Sequence, residues 1–296
     1  MAAFPLFPGD MAIFHAVNGF AGHFAVDHLV KQAEENTLLR GTLYLTIYWG
    51  LWFWPSPRQA ERRKILLDIM VAIVATVVIA RVMAVVLPFR VRPIYTDGIG
   101  FQPTAFPVGY QLVNWSSFPS DTAAFFFAMS IGFWSLSRSL SIAAMAYCVT
   151  YICLPRLYLG LHWPSDLVVG CLVGAAVPML VMRSAWIRRA IAVPLYECSE
   201  RFPAYFYAGL FLVTSQMAPL FNDVRVILNG VAMIAHHFGL PSTALLLPLG
   251  AFGIAVLALL AYAIARSLRS GRGGGHRVMR LPSAPPLPGD AGNGAG

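Results

Sequence analysis

An arginine, a histidine and an aspartate share one stretch, Arg156 to Asp166, reading RLYLGLHWPSD. Arg156 closes an apolar segment and His162 follows after five intervening residues. Pro164 then opens the next segment, which places Asp166 in its first helical turn. A histidine can act as a nucleophile through one ring nitrogen while a carboxylate holds the other and favours the charged product. An arginine presents a planar, permanently charged fork that matches phosphate oxygens. Charged groups gathered between two apolar runs mark a place where something polar is handled. A phosphate group attacked by His162 is chemistry these three residue types could perform together.

Two further polar stretches supply compatible groups. LPFRVRP carries Arg90 and Arg92, and FPSDT carries Ser120, Asp121 and Thr122. Pro119 suits the first position of a helix. The free backbone amides of such a start, with the Ser120 hydroxyl, can hold an anion. Arg92, Ser120 and Arg156 then bind phosphate while His162 attacks and Asp166 orients it. Arginines and amides would do the electrostatic work otherwise done by a cation, so no metal or cofactor is expected.

The elements that must position these groups are apolar helices. The chain has 296 residues, 58% hydrophobic and 11% charged, with a mean hydropathy of +0.66. Soluble domains are nearer a quarter charged, so composition indicates an integral membrane protein. The net charge of +8 does not point to nucleic acid, because the basic residues sit mostly in short connectors and the tail. The expected fold is all-α, a polytopic transmembrane bundle of about six or seven spans plus an N-terminal interfacial helix. Spans are predicted near 38–54, 65–87, 119–136, 139–154, 165–182, 204–220 and 243–265.

Four segments follow: residues 1–36 as an amphipathic interfacial helix, 37–190 as the core, 191–268 as an additional C-terminal hairpin, and 269–296 as a disordered tail. The N-terminus lacks a basic region before an apolar stretch, so no cleavable signal peptide is read there. If the spans alternate, Arg58, Arg62, Arg63, Lys64, Arg138, Arg183, Arg188, Arg189, Arg266, Arg269 and Arg272 share one side, which the positive-inside rule makes cytoplasmic. The stretches holding Arg92, Ser120 and His162 then share the opposite, non-cytoplasmic face, facing the periplasm or exterior if the membrane is a bacterial inner one.

The Arg156–His162–Asp166 spacing, preceded by an FPSD helix start and an RP pair, resembles the type 2 phosphatidic acid phosphatase superfamily. That family includes lipid phosphate phosphatases and undecaprenyl pyrophosphatases. The resemblance spans about residues 38–185. It implies a phosphohistidine at His162, orientation by Asp166, and phosphate binding by Arg92, Ser120 and Arg156. The substrate implied is a lipid phosphate in the bilayer.

Three positions depart from the family pattern. Its first-motif lysine falls on Val85, with Arg90 or Arg81 as auxiliary sources of charge. The serine before the third-motif arginine is Pro155. The second motif, usually ending in histidine, ends here in Thr122. That histidine protonates the leaving group in the family, and a positioned general acid is worth ~10²–10⁴ in rate. The Thr122 hydroxyl is too weak an acid to replace it, and Asp121 at a helix N-terminus favours its ionised form. An alkoxide leaving group, with a pKa of roughly 15–16 like water, needs the proton. A departing phosphate, with its second pKa at about 6, does not. The sequence therefore leans toward a polyprenyl or other lipid diphosphate. Phosphotransfer through the same intermediate, or a lipid-phosphate binding or transport protein without turnover, remains an alternative.

Other candidates carry less. His15, His23 and His28 are eight and five residues apart and do not share one helical face, so they make no metal site. His236 and His237 are read as structural, though either could approach the site. The cysteines Cys148, Cys153, Cys171 and Cys198 form no CxxC pair and read as apolar filler.

Overall fold

The computed structural model describes residues 6–106, 113 and 115–219. The chain divides into two units, 1–228 and 229–296. The described residues all lie in the first. The expected seventh span, His236, His237 and the tail lie outside them.

Among the described residues every regular element is helical. In chain order they are α1 (Asp10–Asn18), α2 (Phe24–Glu35), α3 (Leu43–Phe53), α4 (Gln59–Val86), α5 (Asp121–Gly132), α6 (Arg138–Tyr147), α7 (Leu154–Tyr158), α8 (Pro164–Arg183), α9 (Ala185–Ile187), α10 (Val193–Arg201) and α11 (Pro203–Met217). A π-helical turn, Cys148–Cys153, joins α6 to α7. Among the described residues, three helices are long and apolar enough to cross a membrane: α4, the run Arg138–Tyr158, and α8. At 1.5 Å per residue, the 28 residues of α4 extend about 42 Å, which exceeds a bilayer's hydrocarbon core of about 30 Å.

Helix α5 is the hub of the bundle. Of its twelve residues, nine are buried, from Thr122 to Gly132, and it lies against α4, α6 and α8. Its contact with α8 is unusually close, and two glycines explain why. A Cβ on Gly170 would stand 2.5 Å from the Ser120 carbonyl oxygen, and one on Gly174 would stand 2.4 Å from that of Ala124. Only residues without a Cβ allow this approach. The amide of Ser120 accordingly donates to the carbonyl of Asp166 at 3.0 Å, tying the two helix starts together.

Helix α5 begins at Asp121, two residues after the expected Pro119, with Ser120 as its cap accepting the Ala123 amide at 3.3 Å. The run through α7 reaches Tyr158, past the expected Leu154, so Arg156 sits on a helix. The turn to α8 passes through Gly160 at φ +67°, where a Cβ would meet Phe101 at 2.8 Å. Its carbonyl accepts the Ile94 amide at 2.9 Å.

The N-terminal segment, expected as one interfacial helix, forms two, broken at Gly22 with φ +93°. Several polar residues of this segment are turned inward. Asp10, Asn18, Asp27 and Glu34 are all buried. Asn18 donates to the Tyr158 and Gln102 carbonyls, each at 3.0 Å, and Tyr158 donates to Asp27 Oδ1 at 2.5 Å. Phe20, Phe24 and Leu29 stay exposed. With the break, both helices bond to α7: Asn18 of α1 reaches the Tyr158 carbonyl, and Asp27 and Glu34 of α2 reach Tyr158 and Arg156.

Basic residues gather at the far end. Arg63 pairs with Glu200 at 3.3 Å, Lys64 lies over the Tyr196 ring, and Arg188 pairs with Asp68 at 2.9 Å.

Candidate active site

His162 follows the turn after α7 and is almost wholly buried. Its Nδ1 lies 2.9 Å from the Ser117 carbonyl oxygen. A carbonyl only accepts, so Nδ1 carries the proton and Nε2 presents a lone pair. Around that lone pair stand Arg92 Nη1 and Arg156 Nη1, each at 3.2 Å, and Ser120 Oγ at 3.4 Å. Four residues from three separated stretches thus meet at one atom. The arrangement offers a nucleophile and three hydrogen-bond donors directed at whatever it attacks.

Asp166 is placed differently from the sequence expectation. Its Oδ2 stands 3.6 Å from His162 Nδ1, beyond a normal hydrogen bond, and accepts the Trp163 amide at 2.8 Å. It stabilises the start of α8 and supplies negative charge near the ring. The hydrogen bond that fixes the tautomer comes from the main chain of Ser117, which no side-chain pattern announces.

Arg90, expected as a stand-in for the missing lysine, is engaged by carboxylates. Its Nη1 donates to Asp166 Oδ1 and its Nη2 to Asp10 Oδ2, both at 2.5 Å. Val85, at the lysine's position, is 83% exposed and points away from the bundle. Arg81 pairs with Asp121 Oδ2 at 3.4 Å and lies over the Trp115 ring. Thr122 is buried and its hydroxyl lies 3.4 Å from Asp121 Oδ1.

Asp10 and Glu34 were missed. Asp10 accepts from the Ser165 amide, the Ser165 hydroxyl and Arg90. Glu34 Oε1 accepts from Arg156 Nη2 at 2.7 Å. The available signal was four acids, Asp10, Asp27, Glu34 and Glu35, in the N-terminal segment of a chain with arginines to bury. Of the N-terminal histidines, His23 bonds to the Phe20 carbonyl and His28 packs on Phe24 and Phe106.

Burial first, then the charges of Arg92 and Arg156, bring the His162 pKa down to about 4 against the opposing effect of Asp166. The imidazole is therefore neutral at physiological pH, as a nucleophile must be. For Asp10, burial works to raise the pKa, but hydrogen bonds from Ser165, Phe7 and Arg90 together hold it below the usual carboxylate value.

The family model described as PAP2 superfamily matches residues 64–190. Phosphatidylglycerophosphatase B of Escherichia coli is 33% identical over 115 residues, which is 38% of this chain and 39% of that protein. YbjG of the same organism, a provisionally assigned undecaprenyl-diphosphatase, is 27% identical over 127 residues, 42% of this chain and 57% of that protein. The chain thus spans well under two thirds of either relative's length. A solved structure, Aquifex aeolicus LpxE, superposes with a TM-score of 0.42 at 19% identity over 62% of this chain and all of that one, a likeness too loose to carry detail across.

Proposed function

We propose that the chain is an integral-membrane lipid phosphatase of the PAP2 superfamily, whose family model matches residues 64–190, working through a phosphohistidine. The observation that carries the reading is the meeting of Arg92, Arg156 and Ser120 at Nε2 of His162. The lone pair of Nε2 attacks phosphorus and forms an N–P bond. The bond from phosphorus to the leaving oxygen breaks, and that oxygen departs with its electron pair. The ring, now cationic, keeps its Nδ1 proton on the Ser117 carbonyl, and the nearby Asp166 carboxylate offsets the new charge. Arg92, Arg156 and Ser120 hold the phosphoryl oxygens as charge builds on them. Water then attacks phosphorus, the N–P bond breaks, and His162 is restored as inorganic phosphate leaves.

Within that class a lipid diphosphate is the substrate best suited to this site. Thr122 occupies the sequence position where the family pattern has its general-acid histidine, and a departing phosphate needs no such proton. The positive end of the bundle, with Arg63, Lys64 and Arg188, lies opposite the site. This supports an inner-membrane orientation with His162 facing the periplasm or exterior. Assaying phosphate release by purified protein from lipid mono- and diphosphates, with acid-labile phosphohistidine trapping, tests the proposal. Release abolished by His162→Ala and fastest on diphosphates is expected; preference for phosphatidic acid would sink the diphosphate reading.

Thr122 also favours a second reading, a lipid-phosphate binder that has lost turnover. In that case the parent protein binds lipid phosphate, never releases phosphate, and is matched in binding by His162→Ala. The intact nucleophile geometry argues for turnover, since binding alone does not call for an imidazole with its lone pair turned into the pocket.

A further inference from the structure

We infer that Glu34, on α2 and outside the family-matched residues, is a positioning residue that aims Arg156 at the phosphoryl group, an inference that rests on the phosphatase reading above. Its side chain is 1% exposed and sits between two guanidiniums, with Oε1 2.7 Å from Arg156 Nη2 and 3.0 Å from Arg40 Nη1. Arg40 also donates to the main-chain carbonyl of Glu34, which fixes the carboxylate's own backbone. The opposite terminal nitrogen of Arg156, Nη1, lies 3.2 Å from His162 Nε2. The guanidinium is therefore gripped along one edge and offers the other to the reacting centre.

This grip matters because arginine is long and rotamer-rich, and a phosphoryl clamp works only when its donors are already aimed. A misplacement of about 1 Å can cost about 10²-fold in rate. Arg156 sits in the last turn of the helical run Arg138–Tyr158, so its backbone is fixed, but the long side chain beyond it is directed only by its partners. A purely architectural role for Glu34 is the weaker account, because α2 is already tied to α7 through Asp27 and Tyr158. What Glu34 adds is the direction of Arg156.

The test uses the full-length protein in detergent micelles with a lipid diphosphate substrate. Glu34→Gln keeps the shape and removes the charge. The variant's melting temperature should fall, because two arginines lose a buried partner. Measured well below that temperature, kcat should drop by about 10–100-fold while KM moves less than about threefold. Glu34→Asp should recover part of the loss. In a double-mutant cycle, adding Glu34→Gln to Arg156→Ala should cost less than about twofold more, because the residue it aims is gone. A Glu34→Gln kcat within about twofold of the parent's, or losses that multiply in the cycle, overturns the inference. If Glu34→Gln does not purify as folded protein, the cycle is run with Glu34→Asp and judged by the same two outcomes. Orthovanadate affinity, by calorimetry, separates this inference from its premise. A parent that binds vanadate without releasing phosphate, and loses about tenfold in affinity on Glu34→Gln, overturns hydrolysis and leaves the aiming role standing. An active parent indistinguishable from Glu34→Gln overturns the aiming role alone.

Discussion

The Nδ1 of His162 lies 2.9 Å from the Ser117 carbonyl oxygen, whereas the Oδ2 of Asp166 stands at 3.6 Å. The main chain therefore selects the tautomer, and the carboxylate acts on the ring through its charge. Asp166→Asn should then keep the nucleophile's orientation but lose the offset to the imidazolium formed on attack. A fall in kcat of about 10²-fold is expected, with orthovanadate affinity altered far less. Steady-state kinetics beside calorimetry would check the split.

A pH profile follows from the neutral ring. With a pKa near 4 against an ordinary 6.5, the free enzyme should keep its kcat/KM down to about pH 5 and lose it as His162 protonates near 4. Stability has the matching sign. Between 6.5 and 4 the unfolded chain binds the proton and the folded chain does not, so stability conferred by His162 is complete above 6.5 and is lost as pH falls to 4. His162→Ala should remove that segment of the melting-temperature curve.

Asp10→Asn should cost about 3 kcal/mol, because it leaves half of the charge balance around a buried Arg90 unmet. Asp10 lies below the ordinary carboxylate value. Its contribution is therefore present above that value and lost as pH falls through the folded one. Thermal unfolding of the variant in detergent at neutral and acidic pH should show the deficit shrinking on acidification.

Gly170→Ala and Gly174→Ala should each destabilise the bundle by about 1–3 kcal/mol through overpacking. Both push α5 from α8 and so separate Ser120 from His162. Loss of phosphate release at temperatures where the variants remain folded would confirm that the interval matters to the site.

Thr122→His should restore a general acid where the leaving group departs. A gain of about tenfold or more on lipid monophosphates, with little change on diphosphates, is expected. Equal effects on both would remove the leaving-group argument for substrate choice.

Much of this site was legible in the sequence because its groups are side chains at short, fixed spacings. Arg156, His162 and Asp166 share one stretch, and an arginine after an apolar helix end or a serine before one announces itself. Arg92 and Ser120 fell in loops on the same side of the alternating spans, so their convergence followed from topology. Ser117 could not be read, since its contribution is a carbonyl that every residue possesses. Asp10 and Glu34 lie 80 and 122 residues from the arginines they hold, and an amphipathic pattern does not distinguish an acid facing water from one facing a buried cation. The partners of Arg90, Asp10 and Asp166, were hidden for the same reason, being 80 and 76 residues away. Helix limits moved where local bonds decided them, as at Ser120, whose hydroxyl ends the loop two residues later than proline alone suggested.

The contact between α5 and α8 is backbone against backbone at Gly170 and Gly174. The interval between the serine and the nucleophile is consequently a property of the polypeptide scaffold, not of any rotamer that could be exchanged. Any difference in what binds beside His162 must then arise from side chains and loops around it, while the spacing of the two helix starts keeps one fixed dimension.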